Sequence, residues 1–440
     1  MTSLKKLIAV LAVSLPLVAS AQAPAATPPA AAPPAAAPPA AAPAPLFSIY
    51  GTLNLNFQFE EAPAATVPGQ SINGRFGVSA DSSNIGIRGA LDTGRFGLGV
   101  VYQCETGAQL EGTGNAALCN RNSRLGVASS LYGTLFYGNW DSPYKAAWYG
   151  TKADDAFGNT DVYDATALMG SPGFNTRSTA GITAGAAFTG PVRAPAINTP
   201  TTTTFAIRAA DSVVYQSPKI LGASFKAAYS ANRFADTKAV RAPELWSAVV
   251  NYDAGPLSVL AAFEDHEDWQ SVRSRDTAWK VGAGLELPSA FGTTTVGAVY
   301  EQLMYRAFGG TAVVGTGATA INKYTRPAVM VNLKHRTGNH ELRARWTTAD
   351  SGDCDLVSGA ACSTAGFGAM NYSLGYAYYL TKAAQVYAYW TQIDNERNAA
   401  YTFATAGFAQ ITAGSGTPIA GATPVGSDPW AAGLGMRYAF

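Results

Sequence analysis

Residues 47–60 read FSIYGTLNLNFQFE, and their alternation decides the fold. Phe47, Ile49, Gly51, Leu53, Leu55, Phe57 and Phe59 fall on one side of an extended chain, and Ser48, Tyr50, Thr52, Asn54, Asn56, Gln58 and Glu60 on the other. Successive side chains of a strand point to opposite faces, so this is a strand between an apolar and a wet environment. The rhythm returns. Trp279, Val281, Ala283, Leu285 and Leu287 alternate with Lys280, Gly282, Gly284 and Glu286. Tyr372, Leu374, Tyr376, Tyr378 and Leu380 alternate with Asn371, Ser373, Gly375, Ala377 and Tyr379, and Val386, Ala388 and Trp390 with Gln385, Tyr387, Tyr389 and Thr391. The last eleven residues repeat it, with Trp430, Ala432, Leu434, Met436, Tyr438 and Phe440 on one face.

One such strand could serve a soluble sandwich. Many of them, with aromatics crowding their ends, predict an all-β transmembrane antiparallel barrel with aromatic girdles at both interfaces. An unpaired sheet edge cannot sit in hydrocarbon, so the sheet has to close. Residues 46–440, at about 25 residues per strand and connection, give roughly 16 strands. Composition agrees. Charged residues make up 13% of the chain, against roughly 25% in soluble domains. After the first twenty residues no apolar run reaches the length of a spanning helix.

Lys5 and Lys6, the apolar run Leu7 to Val18, and Ala19-Ser20-Ala21 read as an export signal over residues 1–21. Residues 22–45 are almost wholly alanine and proline, with Pro-Pro pairs every five residues. Proline at this density removes donors and obstructs helical turns, so an extended tether in the periplasm is expected, either inert or touching the cell wall. The barrel domain then occupies 46–440. The net charge of +1 falls to about neutral without Lys5 and Lys6, which argues against a nucleic-acid partner. Four cysteines in an oxidising compartment favour the pairs Cys104–Cys119 and Cys354–Cys362 over the other two connectivities. No C-x-x-C pair or histidine cluster supports zinc, and no cofactor is expected.

Loops are expected at Glu61 to Gly74, Cys104 to Asn120, Thr189 to Thr204, Ala307 to Asn322, Asp350 to Gly366 and Ala404 to Pro429. The longest stretch without strand rhythm runs from Ser142 to Asn175. A loop of that length in a compact fold needs a reason, and the expectation is that part of it folds into the barrel and narrows the pore. Strand parity turns Arg75, Arg88, Arg124, Arg208, Lys226, Arg343, Arg345 and Arg437 away from the apolar face and into the lumen. The inward loop would oppose this basic wall with Asp154, Asp155, Asp161 and Asp164.

Several segments resemble the general porins of beta-proteobacteria and their relatives, the trimeric Gram-negative porin family. Ser83-Asn84-Ile85-Gly86-Ile87-Arg88-Gly89 resembles the family's "S-R-L-G-F-K-G", and Asn120 to Val127 its "N-R-Q-S-x-V-G-L". Gly133 to Asn139 stands where the family has "G-T-V-x-x-G-R", and Ser212 to Pro218 resembles "N-S-V-x-Y-x-S-P". Leu374 to Lys382 resembles "L-G-A-x-Y-x-L-S-K", and Arg437-Tyr438-Ala439-Phe440 the ending "R-H-x-F". Asn139 departs from the usual arginine, and the "P-E-F" loop signature is absent from Ser142–Asn175. The resemblance implies sixteen strands, homotrimers among outer-membrane lipid and lipopolysaccharide, short periplasmic turns and a third extracellular loop folded inward.

The expected function is passive diffusion of ions and small hydrophilic solutes across the outer membrane, with weak anion selectivity. A substrate-specific porin, and a structural or adhesive barrel whose tether contacts the cell wall, are the alternatives. An enzyme is not expected, since no nucleophile elbow, H-E-x-x-H or phosphate-cradling glycine motif occurs. The cluster Glu264-Asp265-His266-Glu267-Asp268 reads as a solvated strand end, and His335 and His340 as flanks of a Gly338-Asn339 hairpin.

Overall fold

A computed structural model describes residues 47–66, 71–80, 82–108, 110, 117–158, 165–172, 204–231, 244–267, 275–306, 321–356, 358–359, 363–403 and 425–440. The expected signal and tether lie outside the described residues, as do most of Thr189–Thr204, Ala307–Asn322 and Ala404–Pro429. Among the described residues one sheet holds eighteen strand segments, every neighbouring pair antiparallel. Ile72–Ser79 and Asn84–Arg95 are parts of one strand, since both pair with Ser48–Ala62. His340–Ala349 and Asp353–Leu356 are likewise one, laid along Ile321–Thr337. The barrel therefore has sixteen strands, and Ser48–Ala62 closes it by pairing with Trp430–Ala439.

The break between the two parts of the second strand is bridged by a side chain. Ser83 Oγ accepts the Asn54 N–H at 2.8 Å and donates to the Asn54 carbonyl at 3.0 Å, standing in for a ladder partner. At the seam the amide of Gly51 and the carbonyl of Phe440 lie 3.0 Å apart, as do the Phe440 amide and the Gly51 carbonyl.

Burial runs opposite to that of a soluble protein. Asn54, Asn56, Gln58 and Glu60 are buried, while Leu55 and Phe57 between them are exposed. Behind the buried polar row, Tyr387 donates to Asn54 at 2.7 Å and Tyr389 to Asn56 at 3.0 Å. Glycines on the intervening strand make room for these rings. A Cβ on Gly435 would stand 2.2 Å from the Tyr387 ring, and one on Gly433 would stand 2.4 Å from the Tyr389 hydroxyl. The exposed apolar face continues through Phe76, Val78, Leu125, Val250, Leu374 and Leu434. An apolar exterior around a polar interior is the arrangement hydrocarbon requires.

Connections at one end are tight: Phe96-Gly97, Ala290-Phe291 and Gly338-Asn339 each join paired strands in two residues. The expected His335–His340 hairpin is among them, with Gly338 at φ +55°. At the other end the connections are long, and the longest joins Gly133–Asp141 to Arg208–Gln216. Cys104 and Cys119 form a disulfide with a Cα–Cα distance of 4.7 Å, pinning the connection between them. Cys362, and with it the second expected pair, lies outside the described residues.

Candidate functional site

The segment after Asp141 does not leave the barrel. Its residues 142–158, 165–172 and 204–207 pack against the inner wall. The Tyr144 N–H donates to Ser247 Oγ at 2.9 Å, the Lys152 N–H to Ser258 Oγ at 3.2 Å and the Ala156 N–H to Asn332 Oδ1 at 3.3 Å. Arg326 donates to the Leu168 carbonyl at 3.0 Å, and the Gly170 N–H to Glu301 at 2.6 Å. Arg345 holds Asp155 at 2.7 Å. These anchors come from Glu244–Ala254, Leu257–Glu267, Gly292–Arg306, Ile321–Thr337 and His340–Ala349, so the loop crosses much of the barrel's circumference.

Two features of the wall make this seat. Gly284 and Gly297 face each other across adjacent strands. A Cβ on Gly284 would stand 2.1 Å from the Lys152 carbonyl carbon, and one on Gly297 would stand 2.7 Å from Ala153 Cα. The pair is a notch for loop backbone. Beside it, Lys280 Nζ sits 3.8 Å from the Tyr144 ring centroid and 3.9 Å from that of Trp148, with Glu301 at 3.6 Å. A desolvated cation between ring faces gains about 2 kcal/mol from such contacts. The Tyr144 hydroxyl donates to Glu301 at 2.6 Å, and burial beside that carboxylate pushes its pKa well above the ordinary value.

This seat corrects one expectation. Glu264, Asp265 and His266 are not solvated: all three are buried, Glu264 and His266 on the inward face of their strand and Asp265 on the other, paired with Arg275 at 2.7 Å. His266 Nε2 lies 2.9 Å from Glu264 Oε1, and the ring stacks on Phe205 of the returning loop at 4.4 Å. The alternation that sends Glu264 and His266 inward was readable; the loop that covers them was not.

A cavity of about 510 Å³ lies between the loop and the rest of the wall. Tyr149, Gly150, Asp154 and Asp155 line it from the loop; Thr52, Asn84, Arg121, Arg208 and Arg437 line it from the wall, with Asp141 and Lys145 at the loop's root. Burial raises the Asp154 carboxyl to about 6, against the opposing effects of the Gly150 N–H and the nearby Lys334. Asp161 and Asp164 lie outside the described residues.

The eight expected basic residues divide by partner. Arg75 pairs with Glu60 at 3.1 Å, Arg208 with Asp141 at 3.2 Å and Arg343 with Glu341 at 2.6 Å. Arg345 is buried against Asp155 beneath the loop. Arg88 instead stands over the Tyr50 ring at 4.4 Å. Arg124 lies 4.9 Å from the Phe136 centroid and 4.8 Å from that of Trp140. Among the described residues no carboxylate pairs with Arg88, Arg124, Arg437 or Lys226. Lys280, Glu301, Arg326, Asp141 and Arg121 were not anticipated. For Lys280, Glu301 and Arg326, parity beside Trp279, Tyr300 and Pro327 was the available signal. No group of metal-ligating side chains occurs among the described residues.

A family model described as Gram-negative porin matches residues 25–398. Among solved structures, the anion-selective porin from Comamonas acidovorans aligns with TM-score 0.63 and 17% identity over 90% of this chain and 99% of that one. OmpT of Vibrio cholerae, folded in vitro, aligns with TM-score 0.52 and 17% identity over 90% of this chain and 97% of that one. No curated protein matches the chain. At these identities the structural likeness speaks for the fold, and the family match carries the assignment. With that match and a polar interior inside an apolar wall, this chain belongs to the Gram-negative porin family and is an outer-membrane β-barrel channel for passive diffusion.

Proposed function

We propose that the channel is weakly anion-selective and works as a homotrimer of the beta-proteobacterial type, with its Pro/Ala segment as a periplasmic tether. The observation that carries the selectivity is the division among the basic residues. Carboxylates neutralise Arg75, Arg208, Arg343 and Arg345, whereas Arg88 and Arg124 are held by aromatic rings and Arg437 reaches the cavity without a carboxylate partner among the described residues. A ring positions a guanidinium without cancelling its charge, so the field in the lumen stays positive where these residues stand. Asp154 opposes them and keeps the preference modest. For the trimer the support is the family resemblance of the sequence.

The test is the reversal potential of the refolded barrel in a planar bilayer across a salt gradient. A potential of the sign set by anions, with conductance steps in groups of three, is the expected result. A clear cation preference overturns the selectivity. A folded barrel with no conductance moves the reading to a structural or adhesive barrel, and saturable block by one solute class moves it to a substrate-specific porin.

A further inference from the structure

The tight connections carry an unexpected set of side chains. Such turns normally stand in water and are built from polar or glycine residues, and two-residue turns with two left-handed positions favour Asn-Gly. Here Arg95–Leu98 turns through Phe96 at φ +56° and Gly97 at φ +62°. Ile220–Ala223 turns through Leu221 at φ +49° and Gly222 at φ +89°. A branched or aromatic residue in the left-handed region is strained, because its Cβ crowds the backbone carbonyl; asparagine fits there at less cost.

The strain is not offset by packing within the chain. Phe96 is 90% exposed, Leu221 92% and Phe291, at the tip of a third turn, 82%. Leu131 and Tyr132, in a fourth, are exposed as well. Apolar tips in four turns at one end, two of them strained, are accounted for only if something outside the chain covers them.

We propose that these tips are immersed in the lipid interface, as anchors that set the depth of the barrel in the membrane. Lipid is the occupant because the tips continue the lipid-facing wall. Leu91 and Leu135 on the strands behind them, and Ile220 at the start of the Ile220–Ala223 turn, are exposed on the same apolar exterior. This goes beyond an aromatic girdle on the strands, since it places the turns themselves below the water boundary. The polar turn Thr381-Lys382-Ala383 at the same end would stand clear of lipid.

The test is spin-label depth measurement on the full chain, oxidised and refolded into phosphatidylcholine–phosphatidylglycerol vesicles. Among the described residues no cysteine is free; the unsubstituted chain, treated with the same label, serves as the blank against which the introduced sites are read: F96C, L221C, F291C and, as the control, K382C. Labels at the first three positions should collide several-fold more with oxygen than with a water-soluble nickel chelate, and the control should show the reverse. Nickel accessibility equal to the control at all three tips overturns the proposal. Protection from both agents with spin–spin broadening also overturns it, in favour of contact between copies of the chain. Phe291 is not in the left-handed region, so F291C keeps the test decisive should cysteine at the strained turns impair folding.

Discussion

Arg124 shows how a charge is displayed without being spent. Its guanidinium rests on Phe136 and Trp140, and such contacts are worth about 0.5–2 kcal/mol depending on desolvation. R124Q should reduce anion preference and move the reversal potential toward zero, while the double variant E60Q/R75Q, which removes a pair whose charges already cancel, should change it less. Asp154 gives the site a pH dependence. Its carboxyl is held up at about 6, so above that pH it is ionised and offsets the arginines, and below it the acid is neutral. Anion preference should therefore increase as the pH falls through about 6, read as reversal potential against pH, and D154N should hold the acidic value throughout.

An inward loop stays inside its barrel only if the wall receives it. The notch of Gly284 and Gly297 accepts backbone at distances no Cβ permits. G284V should displace the loop, raise single-channel conductance and weaken selectivity, at an overpacking cost of about 1–3 kcal/mol. An unchanged conductance from a folded G284V barrel would show that the notch does not hold the loop. The connection closed by Cys104 and Cys119 spans 15 residues, for which chain entropy suggests about 3 kcal/mol of stabilisation. C104S/C119S should lower the denaturation midpoint in detergent and leave conductance near its native level, since the side chains that anchor the constriction loop belong to other strands, from Ser247 to Arg345.

The whole barrel depends on one seam, where strand Ser48–Ala62 meets Trp430–Ala439 and Phe440 lies over Gly51. F440A should lower the temperature at which the barrel opens, measured by the shift from compact to unfolded mobility on gels, because the seam is the one place where ring closure joins distant parts of the chain. The inside-out burial was written in the period-two alternation of residues such as those from Phe47 to Glu60, and the strand count in the length of the chain at about 25 residues per strand and connection. A strand's faces are fixed locally by the pleat, and an apolar face beside a polar one admits only one arrangement in a closed membrane sheet. The same parity could not say which arginine meets a carboxylate, that Glu264 and His266 would be covered, or that two glycines on facing strands would receive Lys152 and Ala153. Those outcomes depend on register between strands and on the path of a loop across the barrel, as in the contact of Arg345 with Asp155, 190 positions apart. Sequence alone determined which side of the wall each residue faces; only the tertiary structure decided what it finds there, because charge and packing act on distances that the alternation of a strand does not contain.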